Sequence, residues 1–196
     1  MSREQIPVIL ASRSPRRLAL LQRLGFSVRV EGVSLPEIPV PSECPESYVL
    51  RMARQKVEAV APRFPHHPVL GADTAVVLQG QIFGKPSGPA EAEEMLSALS
   101  GKVHQVLTGV AFEVLAEGDL QTAVVETLVK MRRLTGEEIR RYVATAEPLD
   151  KAGAYAIQGE GGMLIEAIYG SYTNVIGLPL PTIIPWLRRF YQEEDP

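Results

Sequence analysis

The sequence predicts an α/β fold in which a mixed β-sheet is flanked by helices. Short branched apolar runs, typical of strands, alternate along the chain with segments whose apolar residues recur at helical spacing. The alternation lacks the strict strand-helix-strand repetition of a Rossmann fold, which favours a mixed sheet. No repeat, low-complexity tract or Ser/Gly linker marks a boundary, so 196 residues predict one compact domain.

The first elements form a strand-loop-helix unit. The apolar run 6–11 is short, branched and bounded by turn formers, as a buried strand would be. Ser14 at the N-cap and Pro15 at the first helical position predict a helix to Leu24, and Gly25 ends it.

The remaining elements follow from the same local signals. Thr135 and Glu138 form a capping box that opens a helix to about Ala144, and the dipeptide Gln79-Gly80 predicts a hairpin turn. Strands are expected at 28–33, on both sides of that turn within 69–83, and at 103–115, 120–132 and 163–168. Further helices are expected at 46–61, at 89–99 and from about Pro179, where Pro185 should bend the helix.

Composition excludes several classes of function. A net charge of -3 argues against a protein that binds nucleic-acid polymers through a wide basic surface. The one cysteine allows no internal disulfide, which fits the cytoplasm, and one cysteine with three histidines offers no paired zinc ligands. The N-terminus lacks the features of a signal peptide, and the uncharged stretch 167–187 holds too many Gly, Pro and polar residues for a membrane span. We interpret that stretch as buried core.

The segment 12–17, SRSPRR, is the first candidate site because it lies where a strand ends and a helix begins. Hydroxyls, free backbone N–H groups, the helix dipole and three guanidinium groups converge there. A capped helix with solvated arginines is the alternative, but three arginines in one turn favour phosphate binding.

Two charged residues lie at positions that should face the core. Lys56 falls on or beside the apolar stripe of its helix, so it either snorkels to the rim or points its charge into a cleft. Asp73 lies inside an apolar strand, where a carboxylate is costly unless it is paired or binds metal, although it could also be a bulge or cap acid. Glu37, in a Pro-rich loop, carries no signal of its own.

Other motifs fail. The segment from Gly80 to Lys85 is one residue short of a P-loop and Pro86 replaces its Ser or Thr, although Lys85 could still offer a charge to phosphate. The glycines of 159–162 do not form a dinucleotide fingerprint, no G-x-S-x-G is present, and the histidines lie in surroundings that resemble loops. Two acids, several cations and no side-chain nucleophile suit metal-assisted attack of water on a phosphate ester or anhydride.

Seven motifs in order along nearly the whole chain resemble the Maf family of nucleoside triphosphate pyrophosphatases. They are LASRSPRRLALLQRLG, ESYVLRMARQKVEA, LGADTAVV, FGKP, MLSALSGKVHQVLTGV, YVATAEPLDKAGAYAIQG and GSYTNVIGLPL. The resemblance implies a single Maf-like domain, 1–196, of two lobes: an elongated sheet of the inosine triphosphatase-like (HAM1-like) fold, a central cleft for the nucleotide, and a homodimer.

The resemblance also implies roles for individual residues. The catalytic aspartate of the family falls on Asp73, and the residues that bind the substrate phosphates fall on Ser12, Arg16, Arg17, Lys56 and Lys85. Its residues for metal or substrate fall on Glu37, Asp73 and Gln158, and the implied cofactor is Mg²⁺ or Mn²⁺.

The form AGAYAIQG resembles the subgroup that acts on dTTP and UTP. The leading hypothesis is therefore a cytoplasmic enzyme that hydrolyses dTTP, UTP and modified pyrimidine triphosphates to the monophosphate and pyrophosphate, without a nucleic-acid polymer or membrane as partner. The alternatives are a non-enzymatic nucleotide-binding regulator of septum formation and a house-cleaning pyrophosphatase for purine triphosphates such as ITP.

Overall fold

The protein forms a seven-stranded sheet with helices in a computed structural model that describes residues 6–190, apart from the side chain of residue 189. The strands are β1 (Val8–Leu10), β2 (Val28–Val30), β3 (Val69–Leu78), β4 (Gln81–Phe83), β5 (Val103–Val114), β6 (Asp119–Met131) and β7 (Ile165–Tyr169). The helices are α1 (Pro15–Arg23), α2 (Pro45–Glu58), α3 (Pro89–Leu99), α4 (Gly136–Ala144), α5 (Tyr172–Ile176) and α6 (Leu180–Leu187).

The sheet is mixed, as predicted. Its strand order is β2-β1-β3-β5-β6-β7, with β4 paired to β3 outside this path. Strand β1 pairs in parallel with β2 and with β3, whereas the β3–β4 and β6–β7 pairs are antiparallel. The α/β fold class is therefore confirmed.

The chain divides into two compact units, and β3 contributes to both. Unit 1 comprises 1–73, 109–124 and 177–196, and unit 2 comprises 74–108 and 125–176. The cleft and the single domain expected over 1–196 stay predictions, and residues 1–5 and 191–196 of that span lie outside the described part of the chain.

The core of unit 1 forms where α2 packs on the sheet without side chains between the two backbones. A Cβ at Gly71 in β3 would lie 2.6 Å from the carbonyl oxygen of Ala53, and one at Gly109 in β5 would overlap the backbone of Val49. Only glycine allows this close approach. The apolar core beside it consists of Ile9, Ala11, Ala53, Val57, Val60, Ala61, Val69 and Ala111.

The core of unit 2 lies between its strands and the helices α3 and α4. Leu96 and Leu99 of α3 and Met131 of β6 are completely buried in it. The aromatic rings of Tyr142 and Tyr155 belong to the same cluster, and their hydroxyl groups have polar partners in Glu147 and His104.

Most local signals of the sequence are confirmed. Helix α1 begins at Pro15 after Ser14, although the side chain of Ser14 forms no cap hydrogen bond. The capping box of Thr135 and Glu138 has both of its hydrogen bonds. Strands β3 and β4 flank the predicted turn at Gln79.

The structure corrects two predictions near the C-terminus of the described chain. The strand expected at 163–168 begins at Ile165, because Glu160–Leu164 forms a 3-10 helix. The stretch 167–187 is only partly buried: Tyr169 is 60% and Tyr172 49% exposed, and α5, which the sequence analysis did not predict, begins there. Helix α6 contains Pro185, and the bend expected there stays a prediction.

No helix within residues 6–190 is long and apolar enough to cross a membrane.

Candidate active site

The loop after β1 holds one buried guanidinium group. Arg17 is 8% exposed, and its Nε donates to the carbonyl oxygen of Gly177 at 2.7 Å. Its Nη1 donates to the hydroxyl oxygen of Ser12 at 3.0 Å. Arg17 thus ties the first turn of α1 to the loop before it and to the segment that precedes α6.

Hydrogen bonding leaves the Ser12 hydroxyl as a donor. Its oxygen accepts from Arg17 and, at 3.2 Å, from the backbone N–H of Ser14. A hydroxyl oxygen has two lone pairs, so its own O–H remains to donate to a ligand. The loop therefore offers a donor and positive charge at the carboxyl end of a parallel strand, where open α/β sheets bind ligands.

The three arginines of this segment have different surroundings. Arg17 is buried, Arg16 is half-buried and Arg13 is exposed. Burial lowers the pKa of Arg17, and the positive charge of Arg16 lowers it further, while the charges of Asp73 and Glu37 raise it. These influences place Arg17 in the field of both candidate acids of unit 1.

Lys56 joins the two candidate acids directly. Its Nζ donates to Oδ1 of Asp73 at 2.6 Å and to Oε1 of Glu37 at 2.9 Å. Lys56 and Asp73 are each 6% exposed. Lys56 therefore does not snorkel to the rim, and Asp73 is a paired acid inside β3.

Opposing influences act on the pKa of Asp73, and their net effect is a rise. Burial raises the pKa of Asp73 above its ordinary value. The charge and the hydrogen bond of Lys56 and the charge of Arg17 oppose this rise, and the charge of Glu37 adds to it. A carboxylate with a raised pKa is a stronger base at neutral pH than an exposed one.

A bidentate ion pair that the sequence analysis missed holds the loop that carries Glu37. Nε and Nη2 of Arg51 donate to the two carboxylate oxygens of Glu43, each at 2.6 Å, and Nη2 also donates to the carbonyl oxygen of Ile38 at 3.1 Å. The hydrogen bond from Arg51 lowers the pKa of Glu43 most, and the backbone N–H of Val40 and the charge of Arg51 lower it further, to about 2. The pair is therefore ionised at neutral pH. The only signal in the sequence was a cation and an acid eight residues apart across a helix N-terminus.

Tyr48 of α2 also belongs to this region, and no sequence motif indicated it. The residue is 6% exposed. Burial raises the pKa of Tyr48, and the charges of Asp73 and Glu37 raise it further. Its hydroxyl is therefore protonated at neutral pH.

The other two candidate site residues, Lys85 and Gln158, belong to unit 2. Lys85 is exposed in the turn after β4, and Gln158 is half-buried in the glycine-rich segment. The backbone N–H of Gly153 donates to the carbonyl oxygen of Gly84 at 3.0 Å, which joins that turn to the start of the glycine-rich segment.

His104 corrects the expectation that the histidines lie in loop-like surroundings. It lies in β5, is 2% exposed, and its Nε2 is 2.7 Å from the hydroxyl of Tyr155. Burial lowers the pKa of His104 to about 4, so the ring is neutral at physiological pH. The strand expected at 103–115 already included residue 104, and β5 confirms that strand.

The candidate metal ligands of this region are the carboxylates of Glu37 and Asp73. Within 6–190, no group of three or more His, Cys, Asp or Glu side chains could hold a metal ion. Glu37 and Asp73 both contact Lys56, so their carboxylates are close to each other. Mg²⁺ commonly uses one or two carboxylates together with substrate phosphates. The pair therefore fits an ion that arrives with a phosphate ligand.

The mixed sheet, with the buried Asp73, Lys56 and Arg17 close to the loop after β1, defines an α/β protein with a charged candidate ligand site. The family model described as Maf-like protein matches residues 7–190. The chain therefore belongs to the Maf family.

Curated relatives cover almost the whole chain. It is 50% identical over 184 residues to the dTTP/UTP pyrophosphatase of Anaeromyxobacter dehalogenans, covering 93% of each chain. It is 46% identical to the dTTP/UTP pyrophosphatase of Geobacter metallireducens, covering 94% of this chain and 96% of the relative. A third dTTP/UTP pyrophosphatase, of Myxococcus xanthus, is 46% identical, with 96% and 95% covered.

Two solved structures are also similar to this chain. A HAM1 protein from Coxiella burnetii has a TM-score of 0.43 at 17% identity, covering 66% of this chain and 74% of that one. The Ham1 protein of Staphylococcus aureus has a TM-score of 0.44 at 16% identity, covering 64% and 71%.

Proposed function

We propose that this protein hydrolyses dTTP and UTP to the nucleoside monophosphate and pyrophosphate. The observation that carries the proposal is the contact of Lys56 with both Asp73 and Glu37 beside the buried Arg17. It places a base and several cations in one region, as cleavage of a phosphate anhydride requires. The relatives named dTTP/UTP pyrophosphatase support the choice of substrate.

Asp73 acts as the general base. A water oxygen forms a bond to the α-phosphorus, the bond from that phosphorus to the bridging oxygen breaks, and pyrophosphate leaves. The proton of the attacking water passes to the Asp73 carboxylate, whose raised pKa favours this transfer. Lys56, 2.6 Å from Oδ1, holds the carboxylate in place and keeps it ionised between turnovers.

The cations bind the phosphates. Ser12 donates its free O–H to a phosphate oxygen, and Arg16 contributes charge from the same helix turn. Arg17 adds the charge of its guanidinium and orients the Ser12 hydroxyl through their hydrogen bond. Lys85 of unit 2 is a further phosphate ligand.

Glu37 and Asp73 are the residues that would hold Mg²⁺ or Mn²⁺. Such an ion would offset the charge of the phosphates and polarise the phosphorus under attack.

Gln158 contacts the base of the nucleotide in this proposal. Its amide has both a donor and an acceptor, which match the polar edge of a uracil or thymine ring.

Product analysis tests the proposal. Purified protein is incubated with dTTP, UTP, CTP, ITP and GTP, with Mg²⁺, with Mn²⁺ or with chelator, and the products are resolved by ion-exchange chromatography. We expect metal-dependent release of pyrophosphate from dTTP and UTP. Diphosphate and phosphate as products would contradict cleavage at the α-phosphorus, and preference for ITP would favour the purine alternative. Binding of nucleotide without any product would favour the regulator of septum formation.

A matched pair of variants separates the role of Asp73 from a general loss of charge. Asp73→Asn removes the proposed base, whereas Asp119→Asn makes the same change at an aspartate of β6 whose carboxylate accepts from Gln121. We expect the first variant to lose turnover while still binding nucleotide, and the second to retain turnover. Near-normal activity of Asp73→Asn would overturn the assignment.

The homodimer and the cytoplasmic location are further proposals. Light scattering on the purified protein, with and without UTP, measures the molar mass and so tests the homodimer.

A further inference from the structure

One carboxylate in unit 2 anchors the backbone directly after Gln158. Oε2 of Glu147 accepts the backbone N–H of Glu160 at 3.0 Å, and Oε1 accepts the N–H of Gly161 at 3.0 Å. Burial raises the pKa of Glu147, but the two backbone N–H donors and the Tyr142 hydroxyl outweigh it and lower the pKa overall. Glu147 is therefore an ionised acceptor at neutral pH.

The hydroxyl of Tyr142 anchors the backbone before Gln158 and joins the two anchors. It accepts the backbone N–H of Ala156 at 3.2 Å and donates to Oε1 of Glu147 at 2.9 Å. Tyr142 is 4% exposed within the core of unit 2, so its ring is held by packing. The two side chains thus form one hydrogen-bonded pair that contacts both sides of residue 158.

The chain between these anchors passes close to the carboxylate. Gly159 has a φ of +89°, and a Cβ there would overlap Oε2 of Glu147. Any other residue at this position would push the segment away from Glu147. The glycine-rich sequence around Gln158 is therefore shaped to fit this pair.

Gln158 itself is held only through its backbone. Its side chain is half-buried and has no hydrogen-bond partner among the described residues. An amide that is partly buried in a fixed segment loses little freedom when it binds a ligand. The group is thus prepared for a contact from outside the protein.

We infer that Tyr142 and Glu147 are positioning residues that hold the Gln158 amide against the pyrimidine base. This inference rests on the proposed function, since it assigns the base as the ligand of Gln158. Neither residue touches substrate, because both act through the backbone on either side of residue 158.

Glu147→Gln is the primary test variant. The amide nitrogen that replaces one carboxylate oxygen is a donor and would face a backbone N–H, so one of the two anchors is lost. Glu137→Gln, at an exposed acid in the first turn of α4, is the matched control. Steady-state kinetics with UTP and dTTP and hydrogen exchange of the peptide 155–161 are measured for both variants and for Gln158→Ala.

We expect Glu147→Gln to raise KM by about tenfold, the equivalent of about one hydrogen bond, while kcat changes by less than about threefold. Gln158→Ala should have the same effect, and the double variant should be no worse than Gln158→Ala alone, since Glu147 acts through Gln158. Exchange in 155–161 should increase in Glu147→Gln and stay unchanged in Glu137→Gln.

If the increase in KM of the double variant equals the product of the two single increases, Glu147 acts independently of Gln158. That result would overturn the inference. Unchanged kinetics of Glu147→Gln would overturn it as well. If Glu147→Gln does not fold, Tyr142→Phe takes its place in the comparison of single and double variants with Gln158→Ala. This change keeps the buried ring and removes only the hydroxyl. A wild-type protein without activity on any triphosphate would overturn the proposed function and this inference together, which is a different outcome from either result above.

Discussion

Replacing Lys56 by methionine would leave a buried carboxylate without its main partner. The ammonium group contacts Asp73 at 2.6 Å and Glu37 at 2.9 Å, and the side chains of Lys56 and Asp73 are each 8% exposed. Removing one member of a buried ion pair costs about 3 to 5 kcal/mol, because the other charge stays buried and unpaired. For a chain of this length that corresponds to a decrease of about 6 to 20 °C in Tm.

The loss should depend on pH in a defined direction. Both the charge and the hydrogen bond of Lys56 lower the pKa of Asp73, so the variant raises that pKa further above its ordinary value of 3.8. A carboxylate whose pKa is higher in the folded state than in the unfolded state destabilises the fold when it is ionised. Stability is therefore retained at low pH and lost as the pH rises through the raised pKa of Asp73.

Thermal unfolding at about pH 5 and about pH 8 measures this difference. We expect the decrease in Tm to be at least about twofold larger at the higher pH. Lys102→Met, at an exposed lysine, is the control and should change Tm little at either pH. The double variant Lys56→Met with Asp73→Asn should be more stable than Lys56→Met alone. An equal decrease at both pH values, or no recovery in the double variant, would refute this account.

Three further predictions concern the same region. Asp73→Asn should lower kcat by about 10² to 10⁴, measured by pyrophosphate release, and a smaller loss would contradict a role as general base. In the wild type, kcat/KM should fall on acidification with an apparent pKa above 3.8. An apparent pKa at or below 3.8 on the acidic side of the pH profile would contradict the raised pKa of Asp73. Gly71→Ala should destabilise the fold by about 1 to 3 kcal/mol in urea unfolding, because its Cβ would meet Ala53 at 2.6 Å; an unchanged midpoint would show that α2 can move away.

Local elements were predictable because their signals lie within a few residues. The capping box of Thr135 and Glu138 begins α4, and Pro15 begins α1, as the sequence indicates. The same reasoning failed at 163–164, where an apolar pair precedes β7 and was expected to begin the strand. There the segment forms a 3-10 helix, and its backbone donates to Glu147, a tertiary contact that no local pattern reports.

The candidate site was predictable in its residue types but not in its contacts. Ser12 and Arg17 lie in one motif five residues apart, so their hydrogen bond could be expected from the strand-helix junction. The contacts of Lys56 with Asp73 and Glu37 span 17 and 19 residues. They depend on the close packing of α2 against β3, which in turn depends on the missing side chain of Gly71.

The two carboxylates that share Lys56 differ in burial, and this difference separates their roles. The side chain of Asp73 is 8% exposed and that of Glu37 is 37% exposed. A buried carboxylate is poorly hydrated and gains most from accepting a proton, whereas an exposed one remains available to cations from solvent. Asp73 is thus suited to take the proton of the attacking water, and Glu37, on a loop braced by Arg51 through Ile38, is suited to meet an incoming metal-nucleotide complex. Burial, which the sequence indicated for Asp73 but not for Glu37, is the physical basis for making Asp73 the base as well as a member of the carboxylate pair that would hold the metal.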